Sequence, residues 1–257
     1  MKKKFFSVMT VAILLIASLV SAADIQGNGY IEVEGIKYYE PGKSLDELRR
    51  MAVMDGYRAL AEALGDLRIT SETTMKDLTE LNDEVKVAVQ KTVNGARYTV
   101  NRDSEGNFHS KIRLNLFGGA NSLANIVVPQ SAPTVQPFPS FDPKFVTIDS
   151  NYTGLIIDCS GQNLSTAVLP KIQSVSGKEV YAFQYLDRNI VVGRGMVNYS
   201  DSANSGTQRA GNNPLTVQAM FVQGECDVVV SDEDADKILA ANSKSNFLKN
   251  CMVVFVK

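Results

Sequence analysis

The segment from Ser44 to Gly65, SLDELRRMAVMDGYRALAEALG, constrains the fold more than any other stretch of the chain. It reads as one long amphipathic helix with both ends marked. Ser44 with Glu47 three residues later is a capping-box pattern, in which each side chain satisfies an amide proton the first turn cannot pair internally. Gly65 is expected to close the helix, because glycine adopts the left-handed conformation that helix ends often need. Leu45, Leu48, Ala52, Ala59, Leu60, Ala63 and Leu64 recur mostly at threes and fours. Within that face Ala52, Gly56, Ala59 and Ala63 form a stripe of small side chains. Gly56 costs about 1 kcal/mol of helix propensity relative to alanine. Tight packing across a sheet is the expected compensation.

The periodicity changes on either side of this helix. Ile31 and Val33 alternate with Glu32 and Glu34, as in a half-buried strand. Gly35 is expected to mark a bulge, and Pro41-Gly42 turns the chain into the helix. Leu67 to Thr73 alternates again and reads as a second strand. Leu78, Leu81, Val85, Ala88, Val89 and Thr92 predict one second helix, ended by Asn94-Gly95. Ala96 to Val100 is a strand, and Asp103 to Asn107 a hairpin loop. Phe108 to Leu116 is its partner, with Ile112, Leu114 and Leu116 on one face and Lys111, Arg113 and Asn115 on the other. The order is β-α-β-α-β-β from Gly27 to about Val127. It implies an α+β class, with helices packed on a mostly antiparallel sheet.

A Gly-x-Gly strand, a capped helix bearing MAVMDGYRALAEALG, the polar stretch ITSETT, a second helix and a hairpin closing on SKIRLNL follow one another here. In this order the stretch resembles the small outer-membrane lipoprotein family named for a twenty-kilodalton antigen (Lpp-twenty). It is similar also to the N-terminal domain of flagellar assembly protein T. The matching positions include Ala52, Ala59, Ala63, Leu64 and Gly65, and the resemblance covers residues 27–120, about 40% of the chain. It implies a non-catalytic envelope protein, and for some members a ring around the flagellar basal body. The lipoprotein cysteine is missing, so lipid anchoring does not carry over.

Five of the eight prolines, Pro129, Pro133, Pro137, Pro139 and Pro143, fall within fifteen residues. Such a stretch is expected to be a semi-rigid, extended linker. The expected division is a signal peptide at 1–23, a lipoprotein-like α+β domain at 24–127, a Pro-rich linker at 128–144 and a second α/β domain at 145–257. In that second domain Thr153 to Cys159 reads as a buried strand. Lys171 to Val175 and Glu179 to Phe183 read as a hairpin about Ser176-Gly177. Leu215 to Val222 and Cys226 to Val230 are further strands. Ser231 caps a helix to about Asn242, and Cys251 to Val256 ends the chain as a strand. Strand, helix, strand at the C-terminus implies a parallel crossover. Ala203 to Asn213, polar and rich in Gly and Asn, is expected to be a loop. Stretches such as TGLIIDCSG, GKEVY and CMVVFV resemble exported bacterial proteins with a similar two-part architecture, to which no function attaches.

Lys2, Lys3 and Lys4, the apolar run centred on Val11 to Ile16, and the small residues near Ala22 have the pattern of a secretory signal. The run is shorter than the ~20 residues that span a bilayer. Export to a periplasm or the outer envelope is therefore expected, with no lipid anchor and at most peripheral membrane contact. Taking the three lysines of the signal from 26 basic residues leaves 23 against 28 acidic ones, a net −5. That balance argues against nucleic acid as a partner. The odd count of three cysteines, Cys159, Cys226 and Cys251, leaves one over if a disulfide forms. Cys226 and Cys251 sit near the starts of two strands that a helix connects, so a bridge between them is conceivable. Three small buried hydrophobes is the favoured reading. Without a CxxC or Cys/His cluster, no metal site is expected.

No residue pattern for catalysis emerges. His109, the only histidine, has no acidic or nucleophilic neighbour at a recognisable spacing and is assigned no role. Asp232, Asp234 and Asp236 imitate the start of a calcium loop. Lys237 stands where glycine is needed and Ser243 where glutamate is needed, so they read as helix N-terminal carboxylates. Gly193-Arg194-Gly195 is too short for a dinucleotide fingerprint. Ser160-Gly161 and Ser176-Gly177 lack the GxSxG frame. Asn151, Asn163 and Asn198 fit the glycosylation pattern, read as incidental in a bacterial protein. No catalytic, cofactor or metal residues are assigned. The expected function is a non-catalytic, exported envelope protein that binds envelope or flagellar basal-body proteins. Its alternatives are a periplasmic small-ligand-binding module and an exported hydrolase using paired carboxylates.

Overall fold

The computed structural model describes residues 25, 29–130, 134–143, 146, 150–202 and 208–257. The expected signal peptide at 1–23, Gly27 and Asn28, parts of the 128–144 linker and the first half of the 203–213 loop lie outside the described residues.

The first half builds a three-stranded antiparallel sheet in the order β1-β3-β2, from β1 (Tyr30–Lys37), β2 (Arg97–Arg102) and β3 (Phe108–Asn115). Helix α1 (Leu45–Gly65) lies across β1 and β3. Ser44 caps it, its hydroxyl accepting the Glu47 N–H at 3.2 Å. The buried side is Leu48, Ala52, Gly56, Leu60, Ala63 and Leu64, so Ala52, Gly56 and Ala63 of the small-residue stripe are buried, while Ala59 is only half-buried. Leu45 is exposed instead. Burying Leu60 and Leu64 contributes about 1.5–3 kcal/mol each.

The close approach is made by two glycines. A Cβ on Gly56 would meet Ser110 Oγ at 2.6 Å and Ile112 Cγ1 at 2.7 Å. A Cβ on Gly35 would fall on the α1 backbone itself, 2.5 Å from Ala52 O and 2.6 Å from Gly56 Cα. Gly35 is therefore no bulge. Its pairing with Ser110 lies in an unbroken register from Tyr30↔Asn115 to Lys37↔Phe108. The buried Ser110 hydroxyl donates to Ala52 O at 2.7 Å and lies 3.3 Å from Gly35 O, tying helix to sheet at that point.

Three further readings are corrected. Gly65 is the last helical residue but is not left-handed; the cap is Asp66 at φ −85°, and the chain leaves through a Leu67 N–H to Leu64 O bond. Leu67 to Thr73 is not a strand. Ile69 and Thr70 both donate to Thr73 O, which folds the segment into a tight loop, and Met75 N–H returns to Leu67 O. The single helix expected after it is two, α2 (Met75–Leu81) and α3 (Asp83–Asn94). Asn82 breaks them with extended backbone, and its side chain caps α3 by accepting from Glu84 and Val85 N–H. Thr74 and Asp77 form a reciprocal capping box on α2. The observed order is thus β-α-α-α-β-β, followed by the short α4 (Leu123–Val127).

The second half holds two four-stranded sheets. One is β6-β5-β10-β9, from β5 (Ile172–Ser174), β6 (Glu179–Tyr181), β9 (Phe221–Gln223) and β10 (Asp227–Val230). The other is β7-β11-β4-β8, from β4 (Gly154–Asp158), β7 (Asn198–Ser200), β8 (Pro214–Gln218) and β11 (Val253–Val256). In the latter every pairing is parallel. Its two central strands are almost wholly buried, as their unbroken apolar runs require. The expected β5–β6 hairpin is present. Leu215 to Val222 is not one strand. Ala219 and Met220 divide it, donating to Asp158 O and Val229 O, and so pass the chain between sheets. Helix α6 (Asp232–Ser245) follows β10 and packs on β5, β6 and β8. It leads on to β11, so the C-terminal strand-helix-strand passage links the two sheets. The half also holds helix α5 (Arg188–Arg194) and a 3-10 turn at Phe183–Tyr185.

One apolar cluster runs through both halves, from Ile31, Leu60, Leu64 and Ile112 to Leu155, Val228 and Phe255. The described linker residues have neither helix nor strand. Gln136 N–H donates to Gln184 O, and Phe138 packs on Tyr185 with ring centres 5.3 Å apart.

Candidate interaction surface

With α1 on one face of the first sheet, the register decides what the other face shows. Three cross-strand rows are brought together: Glu32, Arg113 and Arg97; Glu34, Lys111 and Thr99; Ile36, His109 and Asn101. β1 and β2 are both edge strands, and five of the six residues of β2 are exposed. Asp55 Oδ2 accepts the Ile36 N–H, which closes one point of the β1 edge. Arg113 is held in place: it donates to Glu32 Oε2 at 2.7–2.8 Å and lies over the Tyr30 ring at 4.1 Å. The bond to Glu32 raises its pKa.

His109 has the acidic neighbours that its sequence spacing hides. Its Nδ1 is 3.2 Å from Glu34 Oε1 across the sheet, and its Nε2 is 3.1 Å from Asp103 Oδ2 in the hairpin loop. The Asp103 bond raises the imidazole pKa, against partial desolvation and with help from Glu34. Asp103 is held at about 2. Its desolvation works against this, but hydrogen bonds from Asn107, His109 and Glu105 prevail. Among the described residues the imidazole's partners are these two carboxylates, and the triad ties the hairpin loop to β1.

Beyond Arg97 and Arg113 the sheet opens into a cleft of about 540 Å³, bounded by the end of α3 and by α4 with the residues that lead into it. Lys91, Arg97 and Arg113 line it together with Thr92, Asn115, Asn121 and Ser122, and Ala88, Ala96, Leu114 and Ile126 form its apolar wall. A groove of about 520 Å³ lies between α1 and the α2–α3 pair, with Leu64, Met75, Val89 and Val93 along it and Arg58 and Lys86 among its lining.

The other sequence candidates are structural. Asp232 accepts from Ser176 N–H and Oγ, Asp234 receives the α6 cap, and Asp236 pairs with Lys178 at 2.7 Å. Ser231 caps the helix as expected. Cys159, Cys226 and Cys251 are free and buried. Burial pushes the Cys159 and Cys226 thiols up to about 12. Gly195 ends α5 at φ +77°. Among the described residues no group of three His, Cys, Asp or Glu side chains could hold a metal ion, and no helix is long and apolar enough to cross a membrane.

Sequence reading missed the residues that join distant segments. Arg68 pairs with Glu225 at 2.6 Å, and Ser71 Oγ donates to Asp227 Oδ2 at 2.6 Å. Val168 and Leu169 N–H donate to Arg68 O and Ile69 O. The Arg188 guanidinium donates to Pro129 O and Asn125 O. Arg209 belongs to a helical turn at 208–210, within the segment expected as a loop. Its guanidinium donates to Cys251 O, Arg194 O and Gly195 O at 2.6–2.8 Å. Burial, with Arg194 nearby, lowers its pKa to about 10.

Residues 154–257 match a known domain family, described as the second domain of Treponema pallidum Tp0624. The match covers the whole two-sheet half from the start of β4 to the C-terminus, and none of the three-stranded sheet. No curated protein matches the chain.

Proposed function

We propose that this chain is an exported cell-envelope protein that acts without catalysis, by binding other proteins through the open face and β2 edge of its three-stranded sheet. The carrying observation is a sheet packed on one face only, whose other face presents an ordered array of charges. An unpaired strand offers backbone donors and acceptors to a partner strand. Arg97 and Arg102 at the two ends of β2 limit indiscriminate pairing, as charges on natural edges do. The signal-like N-terminus supports export. The resemblance of residues 27–120 to outer-membrane lipoproteins and flagellar assembly protein T supports the outer envelope or flagellar basal body as the setting.

Photo-crosslinking residues placed at Thr99 and Lys111 test this in living cells, with Glu233 on α6 as the control position. The expected result is a discrete crosslinked envelope protein from both sheet positions and none from Glu233. Unbound chain in the soluble fraction, with no adduct from either sheet position, would overturn the proposal.

A further inference from the structure

We propose that the cleft beside the sheet binds a small organic anion, a carboxylate or phosphate carried on an apolar body. Its lining collects Lys91, Arg97 and Arg113, and no carboxylate, in a chain whose acidic residues outnumber its basic ones. Arg97 and Arg113 stand directly opposite each other on neighbouring strands. Like charges in that position destabilise a sheet, so an anion between them would relieve the repulsion. Among the described residues, Glu32 on Arg113 is the one ion pair made by these three cations. Arg113 is held in place by Glu32 and Tyr30, whereas Lys91 and Arg97 are left to meet a ligand. Guanidinium groups suit planar or tetrahedral oxyanions, which they bind through paired hydrogen bonds. The apolar wall, with Leu114 and Ile126, can cover the body that carries the charge. A volume of about 540 Å³ suits a small molecule. This site does not depend on the protein-binding reading above.

The test is a titration of the ¹⁵N-labelled full chain with phenyl phosphate, benzoate and inorganic phosphate, followed by amide NMR. The two organic anions distinguish phosphate from carboxylate as the head group. At least one should shift the amides around Arg97 and Asn121 saturably. Inorganic phosphate, lacking the apolar body, should bind about fivefold or more weakly. Arg97→Gln should weaken the organic anion by about tenfold, the loss of one charge-assisted contact. Glu32→Gln should strengthen it, because it frees Arg113. Both side chains lie on the open sheet face, and unchanged remote amides will confirm the fold. The proposal is overturned if neither organic anion saturates, if inorganic phosphate binds as well as they do, or if either variant binds as the wild type does.

Discussion

Replacing Gly35 by alanine should be the most damaging single-methyl addition at the α1–sheet contact. The new Cβ would lie 2.5 Å from Ala52 O and 2.6 Å from Gly56 Cα, where ordinary contact begins near 3.4 Å. These are backbone atoms of α1, so no side chain can rotate away and the helix must retreat by about 1 Å. Overpacking of this kind costs about 1–3 kcal/mol. Retreat also weakens the Ser110 hydroxyl bond to Ala52 O, worth about 1 kcal/mol. Removing a glycine from a strand returns about 0.5–1 kcal/mol. The net loss is about 1–3.5 kcal/mol. Gly56→Ala meets side-chain atoms of Ser110 and Ile112, which can shift. It also gains about 1 kcal/mol of helix propensity, so its net loss is about 0–2 kcal/mol. Equilibrium urea titration followed by circular dichroism gives both values. Thermal melts should fall by about 2–4 °C per kcal/mol for a chain of this size. The double variant should cost less than the sum, because one displacement of α1 serves both methyls. Wild-type stability of Gly35→Ala, a larger loss for Gly56→Ala, or strict additivity would each refute the packing account.

Other predictions follow from the polar contacts. His109 is the sole imidazole, so its NMR titration is unambiguous: its pKa should lie above 6.5 and fall in Asp103→Asn. The stability that His109 contributes is present below its unfolded pKa near 6.5 and is lost as pH rises through the raised folded value. The Asp103 contribution is present above about 3.8 and is lost as pH falls through about 2. A His109 pKa at or below 6.5 would contradict the two-carboxylate geometry. Arg209→Met leaves the carbonyls of Cys251, Arg194 and Gly195 without their donor and should cost about 1–3 kcal/mol in urea titration. Arg209→Lys should not restore this, since an ammonium lacks the planar fork. Iodoacetamide should label none of the three cysteines in the native chain and all three after unfolding. Labelling of the native chain would disprove their burial, and fewer than three thiols after unfolding would show a disulfide.

The sequence by itself determined the local elements whose signals lie within a few residues. The Ser44 cap, the small-residue stripe of α1, the Asp103–Asn107 hairpin loop and the Ser231 cap on α6 are each written in neighbouring positions, because capping and periodicity act within one or two turns. It also carried the α+β class. It misread Leu67 to Thr73, because two or three alternating apolar residues serve a tight loop as well as a strand. The loop is chosen by the hydrogen bonds that close on Thr73 O and by the Val168–Leu169 segment that caps Arg68 and Ile69. Gly35 looked like a bulge because a glycine in a strand signals either a bulge or a close approach, and only the position of α1 selects between them. The open face was decided at the tertiary level. Strand register places Glu34 beside His109, 75 residues away in the chain, and Arg97 opposite Arg113 across the β2–β3 hairpin. No window along the sequence contains both members of the first pair, and the second depends on which strands meet at which residue.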